Sequence, residues 1–277
     1  MVAETIVETH DTATLVLFTG NDRLDYKPGH FLTIDPHQFE SLARFTAFLE
    51  DMKRKKELPR AYSMVSAPHE KYLAVTIKEE RYISGQTKFP PLLSPMLVKR
   101  TRVGMRLRVT GFTGPYTLPD NIESKTDHLV HVCAGSGSVP NLSILKHALL
   151  YFSKLRHTWI YANKTWGDII FRDQLAELER RHPDRLRVVH VLSRESDAAI
   201  LGGGVIKGRI DTALIREQIP DPSSCIVYTC GPAIGPWDRA AAKEKGVEPA
   251  PRFLEAALKG LKEIGVSDDR IEYESYG

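Results

Sequence analysis

Cysteine is scarce in this sequence, and the few cysteines are not spaced for disulfides or metals. Cys133, Cys225 and Cys230 are the only ones among 277 residues, and no two of them form a CxxC pair. Disulfide scaffolds need paired cysteines, while zinc and iron–sulfur sites need closely spaced ones. The sequence therefore predicts reduced thiols, no metal site and no fused plant-type iron–sulfur domain, which would carry CxxxxCxxC.

Long hydrophobic runs and an excess of either charge are also missing. No stretch approaches the roughly 20 apolar residues of a membrane span, and the N-terminal run MVAETIVETHDTATLVLF has acidic residues where a signal peptide has a basic start. The 38 Lys and Arg residues nearly balance the 35 Asp and Glu residues. We therefore expect a soluble cytoplasmic protein that binds neither a membrane nor nucleic acid.

Two common catalytic signatures are absent as well. The ten histidines form no HExxH pair, and no serine lies in a GxSxG motif. These motifs belong to zinc proteases and serine hydrolases. The sequence thus gives no support to metal or hydrolase chemistry, and its length and ordinary composition, 42% hydrophobic and 26% charged, suit two globular domains.

Residues 1–124 have the pattern of an antiparallel β domain. Short β-rich runs are separated by Pro, Gly and Asp clusters: TIVETH, ATLVLFTG, HFLTID, RAYSMVSA, YLAVTIKE and RLRVTGF. Such spacing predicts a small antiparallel β-barrel. The segment from about 36 to 57 breaks this pattern, because its apolar residues recur every three or four positions. We interpret it as a helical insertion.

Residues 125–277 alternate strands and helices instead. The runs are HLVHVCAG, PNLSILKHALLYFSKL, TWIYANK, DIIFRDQLAELERRH and RLRVVHVLS, followed by the strand CIVYTCG, the helix FLEAALKGLKEI and the strand RIEYESYG. Alternation of this kind predicts βαβ units and a parallel sheet. The predicted architecture therefore has two domains, an antiparallel β-barrel followed by an α/β parallel-sheet domain.

A glycine turn links the first strand of the second predicted domain to its first helix. It reads GSGSVP over residues 135–140. Its glycines let a pyrophosphate approach the backbone, and the following helix offers free N–H groups and a positive dipole. Pro140 suits the first turn of that helix. Because the motif departs from GxGxxG at its last position, a plain tight turn stays open as an alternative.

Three further motifs complete a recognisable set. PGHF at 28–31 precedes RAYS at 60–63, and CGP at 230–232 closes a predicted strand. With GSGSVP, and in this order, they resemble the motifs of the ferredoxin-NADP reductase family of flavoproteins. The resemblance covers nearly the whole chain. It implies a flavin-binding β-barrel domain over 1–124 and an NAD(P)H-binding α/β domain over 125–277.

The resemblance assigns roles to the barrel residues. It implies Arg60 against a flavin phosphate, Tyr62 on the isoalloxazine ring and Ser63 near flavin N5, with Ala61 between them. A guanidinium suits a phosphate because it can bind it in a bidentate way. The alternative for RAYS is an ordinary barrel strand.

Ser94 lies where the family binds the flavin pyrophosphate. We expect Ser94 to be the N-cap of a short helix, with Pro95 at its first position. This segment lacks the family's usual glycine-rich form, so a plain helix cap is the alternative.

The resemblance also implies how the second domain binds NAD(P)H. The implied residues are Gly135, Ser136, Gly137 and Pro140 for the pyrophosphate and Cys230, Gly231 and Pro232 for the nicotinamide. Ser193 and Arg194, with Arg209 as a second cation, would bind the 2′-phosphate of NADPH. The alternatives are a solvated loop for Arg194 and a merely buried thiol for Cys230.

The C-terminal run YESYG resembles the terminal Glu-x-aromatic-Gly of some relatives. Tyr276 would then cover the flavin face that the nicotinamide must reach, and a frayed terminus is the alternative. The resemblance makes four residues the expected catalytic set: Ser63, Cys230, Glu274 and Tyr276.

The sequence therefore predicts an NAD(P)H-dependent flavin oxidoreductase. Electrons would pass from NADPH through FAD to a separate one-electron acceptor, such as a ferredoxin or an oxygenase component. FMN in place of FAD, and NADH in place of NADPH, stay open. The alternatives are a flavin reductase that releases reduced flavin and an electron-transfer subunit of a larger complex. The basic run at 53–56 is either a solvated helix end or a docking patch for an acidic acceptor.

Overall fold

The computed structural model describes residues 1–20, 24–84 and 87–276. The chain divides into two units, Met1–Thr117 and Leu118–Gly277. The change of sequence pattern put the boundary after residue 124. Across the described ranges, no helix combines the length and the apolar character needed to cross a membrane.

The described part of the first unit contains six strands in two antiparallel sheets. They are β1 (Val2–Thr9), β2 (Thr12–Leu17), β3 (Phe31–Ile34), β4 (Arg60–Ser63), β5 (Leu73–Lys78) and β6 (Val109–Thr113). One sheet has the order β1-β2-β5 and the other β4-β3-β6. An antiparallel bridge between Met64 and Val75 joins the sheets at one edge. The amide of Val2 donates to the carbonyl of Met105 at the other edge, and the predicted antiparallel fold is confirmed.

Alternating apolar residues build the core of this unit. Leu15 and Leu17 on β2, Leu32 and Ile34 on β3, and Val75 on β5 are buried. A period of two puts such residues on one face of each strand. The two sheets therefore share one core, and the motif RAYS forms the strand β4 beside it.

The predicted insertion contains helix α1 (Ala43–Lys53), preceded by 3-10 turns at Pro36–Gln38 and Glu40–Leu42. Helix α2 (Ser94–Arg100) follows later in the chain. Only Thr46 and Leu49 are buried on α1, whereas Phe48 is 54% exposed and Met52 59% exposed. The apolar spacing that predicted this helix therefore does not mark a fully buried face.

The second unit contains, in its described part, a six-stranded parallel sheet. Its strands are β7 (His128–Ala134), β8 (Arg156–Asn163), β9 (Leu186–Leu192), β10 (Val205–Lys207), β11 (Ile226–Gly231) and β12 (Ile271–Ser275). The order is β10-β9-β8-β7-β11-β12. The chain runs outward from β7 on one side and returns to its other side at β11. Neighbouring strands β7 and β11 therefore form a topological switch point, where open α/β sheets bind ligands.

Helices connect the strands of this sheet. They are α3 (Ser138–Tyr151), α4 (Arg172–Arg181), α5 (Thr212–Gln218), α6 (Pro236–Glu244) and α7 (Phe253–Ile264). Helices α5 and α7 pack on a core cluster that includes Val130, Val132 and Val227. The predicted α/β parallel-sheet fold is thus confirmed. Strand β10 and helices α5 and α6 are additions that the sequence pattern did not predict.

Candidate functional site

The GSGSVP motif forms the turn between β7 and α3. Residues 135–137 make one 3-10 turn, α3 begins at Ser138, and Pro140 is the third residue of that helix. The hydroxyl of Ser138 donates to the carbonyl of Gly135 at 2.9 Å. The hydroxyl of Tyr161, on β8, lies 2.9 Å from that carbonyl oxygen and 2.9 Å from Ser138 Oγ. The turn is therefore fixed by a neighbouring strand.

The second glycine of the turn packs directly on the end of β11. A Cβ built on Gly137 would lie 2.1 Å from the Cys230 carbonyl oxygen and 2.4 Å from its carbonyl carbon. On Gly231 a Cβ would lie 2.5 Å from the Phe253 ring and 3.2 Å from Ala134 Cβ. No side chain fits at either glycine. The turn and the CGP segment are thus packed together at the switch point.

Cys230 is fully buried at this place. Its side chain is 0% exposed, and its backbone pairs with Cys133 on β7. Burial raises the pKa of the Cys230 thiol well above its usual value. The group therefore stays a neutral thiol rather than a thiolate nucleophile. Pro232, the last residue of CGP, is exposed, and its carbonyl accepts from the amide of Leu254 at 3.0 Å.

Strand β12 brings the C-terminal residues next to CGP. Glu274 is the register partner of Cys230, and the amide of Tyr276 donates to the carbonyl of Gly231 at 2.9 Å. Burial raises the pKa of the Glu274 carboxyl to about 7. Its Oε2 atom is buried and has no hydrogen-bond partner among the described residues. Glu274 can therefore hold or release a proton near neutral pH. Gly277 lies outside the described residues.

Two basic residues follow adjacent strands at the same edge of the sheet. Ser193 and Arg194 come directly after β9, Arg209 comes shortly after β10, and these two strands pair in parallel. The side chains of both arginines are exposed. Neither forms an ion pair within the described ranges. A phosphate group at this edge could therefore meet two available cations.

The loop after β9 is held by an acid that sequence reasoning missed. Glu195 is buried, and its carboxylate accepts hydrogen bonds from the amides of Trp166, Ser196 and Asp197 at 2.9 to 3.0 Å. These backbone hydrogen bonds, that of Asp197 first, lower the pKa of Glu195. An anchored acid next to Arg194 fixes the backbone from which that arginine projects. In the sequence, only the position of Glu195 directly after Ser193 and Arg194 indicated that it could have such a role.

Strand β4 carries the RAYS motif of the first unit. Ser63 is buried opposite Phe31, Tyr62 is half-buried opposite Leu32, and Ala61 is exposed. Burial raises the pKa of the Tyr62 hydroxyl, so this group stays protonated. The strand therefore presents a neutral phenol and a buried hydroxyl in successive positions.

Arg60 is bound by a buried carboxylate that the sequence did not reveal. Its guanidinium donates to the Leu58 carbonyl at 2.5 Å and forms a hydrogen-bonded ion pair with Glu57. Lys53 also donates to Glu57, at 2.5 Å. Burial by itself would raise the pKa of Glu57, but the hydrogen bonds from Lys53 and Arg60 outweigh it and lower that pKa. Arg60 thus already lies in a position where it binds an anion.

The prediction that Ser94 caps α2 was wrong. Leu93 occupies the N-cap, with a helical backbone, and Ser94 is the first residue of α2. The Ser94 hydroxyl instead accepts from the amide of Glu80 at 3.0 Å and donates to the Glu80 carboxylate at 3.4 Å. Because Ser94 is already inside the helix, its hydroxyl binds the neighbouring segment instead of the helix N-terminus.

A family model described as the oxidoreductase NAD-binding domain matches residues 131–234. The ferredoxin reductase component of 3-ketosteroid-9-alpha-monooxygenase from Mycobacterium tuberculosis is 30% identical over 250 residues, 87% of this chain and 59% of that protein. NADH-cytochrome b5 reductase 2 from Homo sapiens is 32% identical over 147 residues, 52% of this chain and 46% of that protein. This chain thus spans well under two thirds of both relatives.

The fold has solved counterparts over its full length. The flavohem-like FAD/NAD binding domain of nitric oxide dioxygenase from Vibrio cholerae superposes with a TM-score of 0.73 at 22% identity, covering 100% of this chain and 97% of that one. The resemblance seen in the sequence motifs is therefore confirmed. This chain therefore has the two-domain fold of ferredoxin-NADP reductase-like oxidoreductases, and its residues 131–234 match their NAD-binding domain.

Proposed function

We propose that this protein passes electrons from NADPH through bound FAD to a separate one-electron acceptor, a ferredoxin or the iron–sulfur component of an oxygenase. The glycine turn at the switch point carries this proposal, because nothing lies within 4 Å of a Cβ built on Gly135, where a dinucleotide pyrophosphate would approach the backbone. A relative that is the ferredoxin reductase component of a monooxygenase supports the choice of acceptor. A bound flavin would supply the conversion of a hydride into single electrons.

The flavin contacts that we propose lie on β4 and at the start of α2. Arg60 would bind a flavin phosphate, because its guanidinium already holds a carboxylate in the same position. Tyr62 would pack on the isoalloxazine ring, and Ser63 would hydrogen-bond near N5, with the backbone of Ala61 between them. Ser94 completes this set at the pyrophosphate.

The nucleotide contacts that we propose lie at the carboxyl edge of the parallel sheet. The turn residues Gly135, Ser136, Gly137 and Pro140 would hold the pyrophosphate, and Cys230, Gly231 and Pro232 would adjoin the nicotinamide. Ser193, Arg194 and Arg209 would bind the 2′-phosphate of NADPH. The exposed arginines after β9 and β10 support NADPH over NADH, since NADH offers them no phosphate.

The catalytic residues that we propose are Ser63, Cys230, Glu274 and Tyr276. Buried Cys230 would shape the surface beside the nicotinamide as a neutral thiol. Glu274, with a pKa raised to about 7 by burial, would hold a proton next to it. Tyr276, hydrogen-bonded through its amide to Gly231, would cover the flavin face.

The experiment begins with the absorption spectrum of the purified protein and the mass of the released flavin. Anaerobic titration with NADPH and NADH then gives the preferred reductant, and reduction of a ferredoxin tests the acceptor. We expect FAD, retained through the reductive cycle, and faster reduction by NADPH. Release of reduced flavin into solution would favour the flavin reductase alternative. A protein that binds no flavin would overturn the proposed function.

A further inference from the structure

A chain of buried hydrogen bonds leads from the sheet to the phosphate-binding turn. His157 Nδ1 lies 3.2 Å from His131 Nε2, and His131 Nδ1 lies 3.0 Å from Asn141 Oδ1. Asn141 Nδ2 then donates to the carbonyl of Gly137 at 3.0 Å. The four residues come from β8, β7, α3 and the turn, so these hydrogen bonds link two strands, a helix and the turn.

The hydrogen positions in this chain follow from the donors and acceptors. Because Asn141 uses its amide NH₂ group on Gly137, its oxygen faces His131, and His131 Nδ1 must carry a hydrogen. An uncharged His131 then has a bare Nε2, so His157 Nδ1 must donate to it. The remaining atom, His157 Nε2, is buried without a hydrogen-bond partner among the described residues. Two neutral imidazoles, each protonated at Nδ1, satisfy every contact in the chain.

The surroundings keep these rings in place and away from water. His131 and Asn141 are 0% exposed and His157 is 2% exposed. The His131 ring lies 5.5 Å from the His157 ring, 5.2 Å from Trp159 and 6.3 Å from Tyr228, measured between centroids. Water therefore cannot replace a lost partner, and a broken contact leaves a buried polar group unsatisfied.

The last hydrogen bond in this series is accepted by Gly137, a residue that packs tightly on the end of β11. Gly137 touches the carbonyl of Cys230 on one side, and Asn141 holds its own carbonyl. If the Asn141 amide turned over, its oxygen would face the Gly137 oxygen and repel it. The orientation of one side-chain amide therefore determines whether a side chain holds this carbonyl.

We propose that His131, His157 and Asn141 are positioning residues for nucleotide binding, which hold the Gly137 carbonyl through a fixed pair of imidazole tautomers. The inference rests on the proposed NAD(P)H site at residues 135–137. It adds a determinant of nucleotide affinity that touches no ligand. The chain acts through the backbone of the turn, so it should serve NADPH and NADH alike.

The tautomers are tested first, without ligand, by nitrogen-15 NMR of histidine-labelled full-length protein at neutral pH. We expect His131 and His157 each to show a protonated Nδ1 and an unprotonated Nε2. Variants His131→Phe and His157→Phe assign the signals. A protonated Nε2 on His131 would overturn the proposal, whatever the protein binds.

Nucleotide affinity is tested next, by calorimetric titration of the flavin-loaded protein with NADPH and with NADH. Asn141→Ala should raise both dissociation constants about tenfold, the effect of losing one buried hydrogen bond. The triple variant His131→Phe, His157→Phe, Asn141→Leu replaces all three polar side chains by apolar groups of similar size. It should regain thermal stability relative to Asn141→Ala but not nucleotide affinity, because no side chain donates to the Gly137 carbonyl.

The matched control is Val130→Ala, on the same strand as His131. Val130 belongs to the core cluster on the other face of the sheet, so its loss weakens packing without touching the hydrogen-bond chain. Affinity should stay near wild type in this variant. If nucleotide affinity instead follows the melting temperature through all the variants, these hydrogen bonds only stabilise the fold and the proposal fails. If the wild type binds neither nucleotide, the proposed function fails, while the NMR result still decides the tautomers.

Discussion

Gly137 packs so closely on Cys230 that a Cβ on the glycine would lie 2.1 Å from the cysteine's carbonyl oxygen. Gly135, two residues earlier, has a φ of 52° but no atom within 4 Å of a built Cβ. The two glycines of the turn therefore serve different needs, close packing in one case and backbone conformation in the other.

The first prediction compares the two glycines. Gly137→Ala must displace the turn from β11, and we expect the NADPH dissociation constant to rise about tenfold or more. Gly135→Ala should cost about 1–2 kcal/mol of stability for its left-handed backbone, with a smaller loss of affinity. Titration and thermal unfolding of both variants measure the difference. Equal affinities in the two variants would contradict this account of the turn.

The second prediction concerns Arg60 and the flavin. Arg60→Ala should weaken flavin binding by roughly 1.5–3 kcal/mol, the usual range for a charge-assisted hydrogen bond. Flavin dissociation is followed by fluorescence of the released cofactor. The control is Arg102→Ala, an exposed arginine in the same unit. An Arg60→Ala protein that retains flavin as tightly as this control would remove Arg60 from the site.

The third prediction is a preference for NADPH that depends on Arg194. Arg194→Ala should cost roughly 1.5–3 kcal/mol of NADPH binding, or about one to two powers of ten, and should affect NADH far less. Arg209→Ala should change the preference in the same direction. The measurement is kcat/KM with both nucleotides. A wild type that prefers NADH, or a variant that loses both equally, would exclude the 2′-phosphate role.

The fourth prediction separates the basic residues that follow α1. Lys53 is bound to Glu57 and lies 5.0 Å over the Phe89 ring, whereas Lys55 and Lys56 are exposed. Reversing the charge of Lys55 and Lys56 should raise KM for an acidic acceptor protein and flatten its salt dependence, since rim charges act on association. Reduction of ferricyanide should hardly change. Equal effects on both acceptors would leave only a solvated helix end.

The fifth prediction is a loss of stability in mild acid. Burial lowers the pKa of His131 from 6.5 to about 4. The unfolded chain therefore takes up a proton first as the pH falls, and the free energy of unfolding decreases from pH 6.5 downward. Between pH 6.5 and about pH 4, the lowered pKa of His131 accounts for a decrease of roughly 3 kcal/mol in the free energy of unfolding. Above pH 6.5 its contribution is constant.

Urea unfolding at pH 7, 6 and 5 measures this effect, and His131→Phe should flatten the curve. The partner His157 has its pKa lowered in the same direction, by burial first and then by the nearby charges of His131, Arg185, His128 and His182. In the His131→Phe variant, the free energy of unfolding should therefore still decrease somewhat as the pH falls. An unchanged slope would mean that His131 titrates normally.

Periodic sequence patterns predicted the parts of this fold that depend on local rules. Strand β7 is buried at all seven positions, and its sequence HLVHVCA directly precedes the glycine turn. Strand β10 has only three residues after three glycines, too few to show any period. Helix α5 has seven residues, and its clearest signal was Asp211, whose side chain accepts from the amide of Leu214 as an N-cap.

Sequence patterns could not predict the site residues whose roles depend on tertiary contacts. In the sequence, Glu57 resembles the other charged residues that follow the predicted helix. Only the structure shows that it is buried and paired with Lys53 and Arg60. Asn141 looked like an ordinary polar residue in a first helical turn. Its role arises from His131 on another element, and no spacing along the chain encodes that contact.

The pairing of Arg60 with Glu57 also bears on how the cofactor is loaded. Arg60 is already ordered in the protein alone, because its guanidinium donates to the Glu57 carboxylate. A solvated arginine with no internal anion would be free to rotate. In the proposed complex, flavin binding is then a counter-ion exchange, in which the phosphate takes over Arg60 and Lys53 alone neutralises the buried Glu57 carboxylate. We expect the empty protein to fold around this carboxylate, and flavin uptake to depend on salt less steeply than capture by a solvated arginine would.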